Sequence, residues 1–234
     1  KYHKNSTRWV NNQLSSFSNR KDYAYNVRGW LKKINEDTQN DNDLFNFTLK
    51  YNDPTMGTAL YNGNISQTSW NTLSTNPTAN PVSNLYTYSY DALNRITSAV
   101  DNTGNYNLTS VSYDKNGNIL SLQRQGHIDT AATLFGMMDN LSYIYDAGNK
   151  LTQVDELGEN ATGFKDVAGT DYTYDVNGNM ITDGNKGITS ISYNHLNLPT
   201  NVAFGGQQAA IAYVYDATGV KQKKTVAGSN HQAG

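Results

Sequence analysis

The chain has 234 residues, no cysteine, 37% hydrophobic and 16% charged residues, and a formal net charge of −2 at pH 7. Without cysteine, disulfides and thiolate chemistry are excluded, and a nearly neutral chain that lacks a long basic run is a poor candidate for binding nucleic acid. No stretch approaches the roughly 18 apolar residues that span a bilayer, so no membrane span is expected.

Patterning divides the sequence into three parts. Residues 1–22 are a polar, weakly patterned segment, residues 23–226 carry repeated hairpin signals, and residues 227–234 form a C-terminal tail. The first hairpin signal runs from Tyr23 to Ile34 and turns at Arg28–Gly29.

Tyrosine alternation is the main signal inside the patterned region. From Tyr86 to Val100 the sequence reads YTYSYDALNRITSAV, in which three tyrosines alternate with hydroxyl residues before Asp91, a polar turn and an aliphatic return. On an extended backbone this spacing places the three rings on one face of a strand. The stretch therefore predicts one β-hairpin.

The same unit recurs along the chain. Its copies contain the pairs Tyr90–Asp91, Tyr113–Asp114, Tyr145–Asp146, Tyr174–Asp175 and Tyr215–Asp216, a weaker Tyr193–Asn194, and the variants that begin at Tyr25 and Tyr61. One hairpin alone is marginal in water, so the repetition predicts an all-β array in which each hairpin buries a face against its neighbours. The pair Asn62–Gly63 suits a two-residue type I′ turn within that array.

These residues resemble a known family. Tyr90-Asp91-Ala92-Leu93-Asn94-Arg95-Ile96 and Tyr113-Asp114-Lys115-Asn116-Gly117-Asn118-Ile119 are similar to the YD repeats of the rearrangement hotspot (RHS) family, which teneurins and the shell components of insecticidal toxin complexes share. The variants at Tyr25 and Tyr61 resemble the form found in secreted bacterial members. The resemblance covers roughly residues 23 to 226.

The resemblance implies a fold and a role. In these relatives the repeats wind a long sheet into a hollow, barrel-like shell, so a curved sheet that is a segment of such a shell is expected. It also implies a non-catalytic structural part of a bacterial secreted or cell-surface protein that encloses or displays a C-terminal effector or toxin. The implied partners are the remainder of a longer RHS polypeptide or an encapsulated effector, with glycans or a secretion or surface complex as further candidates.

The residues themselves offer no catalytic, metal-binding or cofactor-binding constellation. The openings Asp114–Asn118 and Asp175–Asn179 resemble a calcium loop, but the sixth position is not glycine and the twelfth is not glutamate, so hairpin turns are favoured. The four histidines lie far apart without zinc-ligand spacing. No enzyme activity and no cofactor are therefore expected.

Two interpretations remain open for the aromatic residues. Repeat tyrosines could stack on sugars in a carbohydrate- or surface-binding module, but their recurrence at one phase of the hairpin favours a structural role. Aromatic residues that break the repeat, Trp30, Trp70 and Phe135, are the candidates for partner contact. Phe135 lies in an insertion from Gly126 to Asn140, within which Thr130 to Met138 is expected to form a helical turn or two, although Gly136 weakens this prediction.

Overall fold

The computed structural model describes residues 6–10, 13–17, 21–35, 45–72, 82–158 and 162–227, the first two ranges by their backbone alone. The elements in these ranges are all β-strands, so the described residues contain strands and no helix. The prediction of an all-β array of antiparallel hairpins is confirmed. The segment 1–22 is described only in part, and the tail after residue 227 lies outside the described residues.

Eighteen strands follow one another in the described residues. The first nine are β1 (Ser6–Val10), β2 (Gln13–Phe17), β3 (Tyr23–Tyr25), β4 (Leu31–Ile34), β5 (Phe45–Lys50), β6 (Gln67–Thr72), β7 (Val82–Tyr90), β8 (Ile96–Asp101) and β9 (Leu108–Tyr113). The next nine are β10 (Ile119–His127), β11 (Phe135–Tyr145), β12 (Leu151–Glu156), β13 (Tyr172–Tyr174), β14 (Met180–Asp183), β15 (Ile188–Tyr193), β16 (Pro199–Phe204), β17 (Ile211–Tyr215) and β18 (Lys221–Val226).

Strand order follows chain order throughout. Strands β1 and β2 pair with each other, ten strands form a sheet in the order β12-β11-β10-β9-β8-β7-β6-β5-β4-β3, and six form a sheet in the order β13-β14-β15-β16-β17-β18. Such a meander arises when each strand pairs with its sequence neighbours. Each order has two ends, so neither sheet closes on itself in the described part of the chain.

The strands divide between two compact units. One unit comprises Lys1–Val111 with Gln123–Gly126, and the other comprises Ser112–Leu122 with His127–Gly234. In the first unit, β7 pairs with β8 in the register Tyr86↔Asp101 and Tyr88↔Ala99. In the second, β17 pairs with β18 in the register Tyr213↔Lys224.

Each unit has a thin core. Leu49, Tyr51 and Ala99 are buried in the first unit, and Leu141 and Val154 in the second. Most other strand residues are half-buried, in keeping with a sheet that hides one face and leaves the other to solvent. This arrangement explains how a chain with few aliphatic residues can fold, because tyrosine rings supply much of the apolar surface.

The helix expected between Thr130 and Met138 is absent. Residues 135–145 form strand β11 instead, and the backbone N–H of Ile128 donates to the carbonyl of Leu134, which extends the hairpin with β10. Asp129 is the cause, because its Oδ1 accepts the backbone N–H groups of Thr133 and Leu134, both at 2.9 Å, and so closes a loop. A carboxylate that captures nearby backbone in this way competes with helix formation.

Candidate functional site

The aspartate or asparagine of each repeat builds its turn. In the turn of Asp175 the side-chain Oδ1 accepts the backbone N–H of Asn177 at 2.9 Å and that of Asn179 at 2.8 Å. The backbone N–H of Asp175 donates to the carbonyl of Asn179, and Gly178 donates to the carbonyl of Asp175. The same pair of side-chain bonds, at 2.8–3.0 Å, is made by Asn26, Asp91, Asp114, Asp146, Asn194 and Asp216.

These turns are not of the type I′ form expected at Asn62–Gly63. That form needs a positive φ at both central residues, whereas Gly63 has a φ of 99° and Asn62 is not among the residues with positive φ. In the repeat turns the left-handed residue lies three positions after the aspartate or asparagine. It is Gly29, Asn94, Gly117, Asn149, Gly178, Asn197 or Gly219. Pairing shifts by one residue beside the turn, as between Ser89 and Tyr90, which is typical of a longer loop with a bulge.

In five repeats a tyrosine ties its hairpin to the one before. The hydroxyl of Tyr215 donates to the carbonyl of Pro199 at 3.0 Å, and that of Tyr193 to the carbonyl of Met180 at 2.6 Å. Equivalent bonds join Tyr51 to Leu31, Tyr90 to Ile65, and Tyr174 to Leu151. In most of these pairs the acceptor opens the return strand of the preceding hairpin. We call these bonds the tyrosine ladder.

Sequence analysis singled out Tyr–Asp pairs, and the structure places all of them at equivalent positions. The tyrosine ends an outgoing strand and the acid starts the turn in the pairs Tyr90–Asp91, Tyr113–Asp114, Tyr145–Asp146, Tyr174–Asp175 and Tyr215–Asp216. Each pair lies at the turn of its own hairpin.

Burial and hydrogen bonding shift the pKa values of these residues in opposite directions. Burial raises the pKa of the phenols of Tyr90, Tyr174 and Tyr193. The amide of Asn179 is the main group that lowers the pKa of Asp175, and the Thr218 hydroxyl has that role at Asp216. At neutral pH the tyrosines therefore stay protonated as donors and the aspartates stay ionised as acceptors.

Side chains also link one turn to the next. The amide nitrogens of Asn116 and Asn118 both donate to Oδ1 of Asn149, at 2.9 and 2.8 Å. Asn179 donates to Asn197 in the same way. In the first unit, Asn62 and Asn64 donate to Asn94. A left-handed asparagine thus accepts from the asparagines of the turn before it.

Two glycine turns, those of Gly63 and Gly219, make a different contact with the turn before them. A Cβ placed on Gly219 would lie 3.2 Å from the Leu198 side chain, and one on Gly63 would lie 3.2 Å from the ring of Trp30. In both cases the neighbouring side chain belongs to the last residue of the preceding turn. The missing Cβ lets that side chain pack against the turn backbone.

An insertion separates one tyrosine from its turn. The turn is made by Asn62–Gly63, but the tyrosine that bonds the preceding hairpin is Tyr51, and residues 52–61 lie between them. Tyr61, which the sequence pattern assigned to this repeat, stays outside the ladder and is 70% exposed. The sequence assignment of Tyr61 as a repeat tyrosine is therefore wrong.

The displaced Tyr61 lines a groove in the first unit. The groove has a volume of about 430 Å³, and Tyr25, Trp30 and Tyr61 supply its aromatic walls. Arg28 reaches across it, since its guanidinium lies 5.1 Å from the centre of the Trp30 ring and its Nη1 donates to the carbonyl of Tyr61 at 3.1 Å. Sequence analysis named only Trp30 of this site as a partner contact, and the signal for the rest of the groove was the extra length between Tyr51 and Asn62.

The three candidate partner-contact residues lie in separate places. Trp30 is half-buried against Tyr51, with ring centres 5.2 Å apart, and forms one wall of the groove. Trp70 is stacked on Tyr86 at 5.8 Å. Phe135 opens β11, is 38% exposed, and has its ring 4.5 Å from that of His127. Of the three, Trp30 alone lines the groove.

The described ranges hold neither a cluster of metal-ligating side chains nor a helix that could span a membrane. Those ranges contain no group of three or more histidine, cysteine or acidic side chains placed to hold a metal ion. They also contain no helix of the length and apolarity needed to cross a membrane.

Comparison with known proteins gives weak likenesses. No family model and no curated protein matches the chain. It is similar to a chain in the crystal structure of TcdB2-TccC3-TEV, with 10% identity, a TM-score of 0.26 and coverage of 95% of this chain and 13% of that one. For TcdB2-TccC3-Cdc42 the values are 9%, 0.27, 97% and 14%. At these TM-scores the likenesses do not establish a common fold.

Proposed function

We propose that this chain is a non-catalytic structural segment of an RHS-type protein, and that its hairpins form part of a β-shell that encloses or displays an effector. The tyrosine ladder is the observation that carries the proposal. Side chains that could serve a ligand are instead used by the scaffold: the repeat hydroxyls bond to neighbouring hairpins, and the repeat carboxylates hold their own turns.

The free edge of the ten-stranded sheet supports an extended array. Tyr25 ends β3, the last strand at this edge, and its ring is 59% exposed. It occupies the place of the ladder tyrosines, yet within the described residues no hydrogen bond engages its hydroxyl. Another hairpin docked on β3 would supply the missing carbonyl, so the remainder of a longer RHS polypeptide is the proposed partner.

The proposed cellular location follows from the proposed structural role. A shell that displays or encloses an effector is exported, so we place the protein outside a bacterial cell or on its surface. The encapsulated effector is a second proposed partner. Glycans or a secretion complex would be contacted by side chains that the ladder does not use.

A matched pair of variants tests the structural role. In the isolated chain, Tyr25→Phe is expected to leave the free energy of unfolding unchanged. Tyr90→Phe should lower it by about 1 kcal/mol, because the hydrogen bond from the Tyr90 hydroxyl to the Ile65 carbonyl is lost. In the full polypeptide from the native source, both variants are expected to destabilise. If Tyr25→Phe has no effect there either, β3 does not receive another hairpin and the proposal fails.

Mass spectrometry of the protein gently extracted from its native source gives an independent test. Peptides of this chain are expected within a much larger polypeptide, together with any enclosed effector. A free chain near 25.9 kDa attached to a glycan or a surface complex would instead support the carbohydrate- or surface-binding alternative.

A further inference from the structure

The groove beside the first hairpin has the character of a ligand site. Its volume of about 430 Å³ lies within the range of about 300–1,000 Å³ that is common for small-molecule sites. Tyr25 and Tyr61 on its walls are 59% and 70% exposed. Exposed rings that face one concave surface are well suited to stack on the flat apolar face of a bound ring.

Free polar groups accompany these rings. Within the described residues, no hydrogen bond engages the hydroxyl of Tyr61 or the side-chain amide of Asn52. These groups can each donate and accept hydrogen bonds. A ligand that combines a flat ring with several hydroxyl groups would satisfy all of them, and that combination is found in a pyranose sugar.

The charge of the groove selects among sugars. Arg28 and Lys32 line it, and none of the carboxylates in the described residues does. The Lys32 ammonium is already paired with Asp53 at 2.7 Å, which leaves Arg28 as the available cation among the described groove residues. Residues 21–35 as a whole carry four cations and one carboxylate, although the full chain has a net charge of −2. An anionic ligand is therefore favoured.

Arg28 is held in position before any ligand arrives. One of its five N–H groups donates to the carbonyl of Tyr61, and its guanidinium is packed over the Trp30 ring. The remaining N–H groups form a planar fork that matches the geometry of a carboxylate. A pre-positioned fork loses less conformational entropy on binding than a free side chain does.

We propose that this groove binds an acidic saccharide, with a uronic acid ring stacked on Tyr61 and its carboxylate bound by Arg28. This function is separate from the structural role of the hairpin array. The groove owes its existence to the insertion of residues 52–61, which leaves Tyr61 outside the ladder.

Isothermal titration calorimetry with a short oligogalacturonate tests the proposal. Its fully methyl-esterified form is the matched ligand, because esterification keeps the ring and removes the charge. We expect the acid to bind and the ester to bind at least roughly tenfold more weakly. Arg28→Gln should weaken binding of the acid by a similar factor, and raised salt should weaken it as well.

The variants separate ionic from stacking recognition. Tyr61→Ala, at an exposed position, should weaken binding of the acid. Lys221→Gln is the control, because Lys221 also lies over an aromatic ring, that of Tyr213 at 4.5 Å, but outside the groove; it should leave the affinity unchanged. Absence of binding at millimolar ligand, or equal affinity for acid and ester, would overturn the proposal without affecting the structural role of the array.

Discussion

The hydroxyl of Tyr174 donates a 2.7 Å hydrogen bond to the backbone carbonyl of Leu151. Tyr174 closes the outgoing strand of one hairpin, and Leu151 opens the return strand of the hairpin before it. In this part of the second unit, the bond joins two repeats whose strands are assigned to different sheets. The Tyr174 side chain therefore joins β13 to β12, although these two strands are not assigned as a hydrogen-bonded pair.

Removing the Tyr174 hydroxyl should weaken this junction. Tyr174→Phe keeps the ring but leaves the Leu151 carbonyl without its donor, and we expect a loss of about 1 kcal/mol in the free energy of unfolding, measured by urea denaturation. Tyr213→Phe is the control. Tyr213 is also half-buried, but no hydrogen bond engages its hydroxyl within the described residues, so no loss is expected. Equal losses in both variants would contradict the ladder.

The contribution of the side-chain acceptor to turn stability can be tested at Asn194, whose side chain is uncharged. Oδ1 of Asn194 accepts the backbone N–H groups of Leu196 and Leu198 at 2.9 and 3.0 Å. Asn194→Ala removes both bonds and should cost about 1–2 kcal/mol, a value typical of lost capping side chains. Asn194→Asp keeps Oδ1 and should be nearly neutral.

His195 provides the comparison for that experiment. It is the exposed neighbour of Asn194 in the same turn. His195→Ala should leave the midpoint of thermal unfolding unchanged. If it lowers the midpoint as much as Asn194→Ala does, the turn depends on residue bulk and not on the Oδ1 acceptor.

Sequence reasoning could predict the strands because their signal is local. The alternation of Tyr86, Tyr88 and Tyr90 defines one face of β7 whatever surrounds it. The turn type and the groove depend on more distant contacts. The type I′ form expected from Asn62–Gly63 was wrong because Gly63 is left-handed and Asn62 is not.

The groove is a second feature that the local sequence pattern does not predict. Tyr51 and Tyr61 are both followed by asparagine, so the pattern alone does not tell which of them joins the ladder. The choice depends on reach: Tyr51 lies next to β5 and meets the Leu31 carbonyl at 2.9 Å. The helix expected before Met138 was wrong for a related reason, because Asp129 captures the backbone of Thr133 and Leu134.

Acid should destabilise the protein through the turn aspartates. Hydrogen bonds lower the folded-state pKa values of Asp91, Asp175 and Asp216, chiefly the Arg95 backbone N–H, the Asn179 amide and the Thr218 hydroxyl, respectively. The unfolded chain, with carboxyl pKa values of about 3.9, then binds protons more tightly than the folded chain. The stabilisation is complete above about pH 5 and is lost as the pH falls through the lowered folded values.

Urea denaturation at a series of pH values measures this dependence. The midpoint should be nearly constant from about pH 5 to 7 and should fall below about pH 4. Replacing Asp91, Asp175 and Asp216 together by asparagine keeps the Oδ1 acceptors and removes three of the titrating groups. The variant should therefore lose less stability on acidification, and an unchanged slope would assign the acid sensitivity to other carboxylates.

The lysines of β18 should limit association between chains at the open edge of the six-stranded sheet. Lys221, Lys223 and Lys224 are exposed on this edge strand, and lysine discourages an edge from pairing with another chain. Because no described strand pairs with the outer edge of β18, the isolated chain should still self-associate weakly as its concentration rises. Lys223→Thr should strengthen that association, since it removes a repelling charge and introduces a residue that favours strands.

Sedimentation velocity measures the change in self-association. Lys115→Thr, the same substitution on an exposed turn, should have no such effect. If both variants associate equally, net charge controls the association and the edge strand does not.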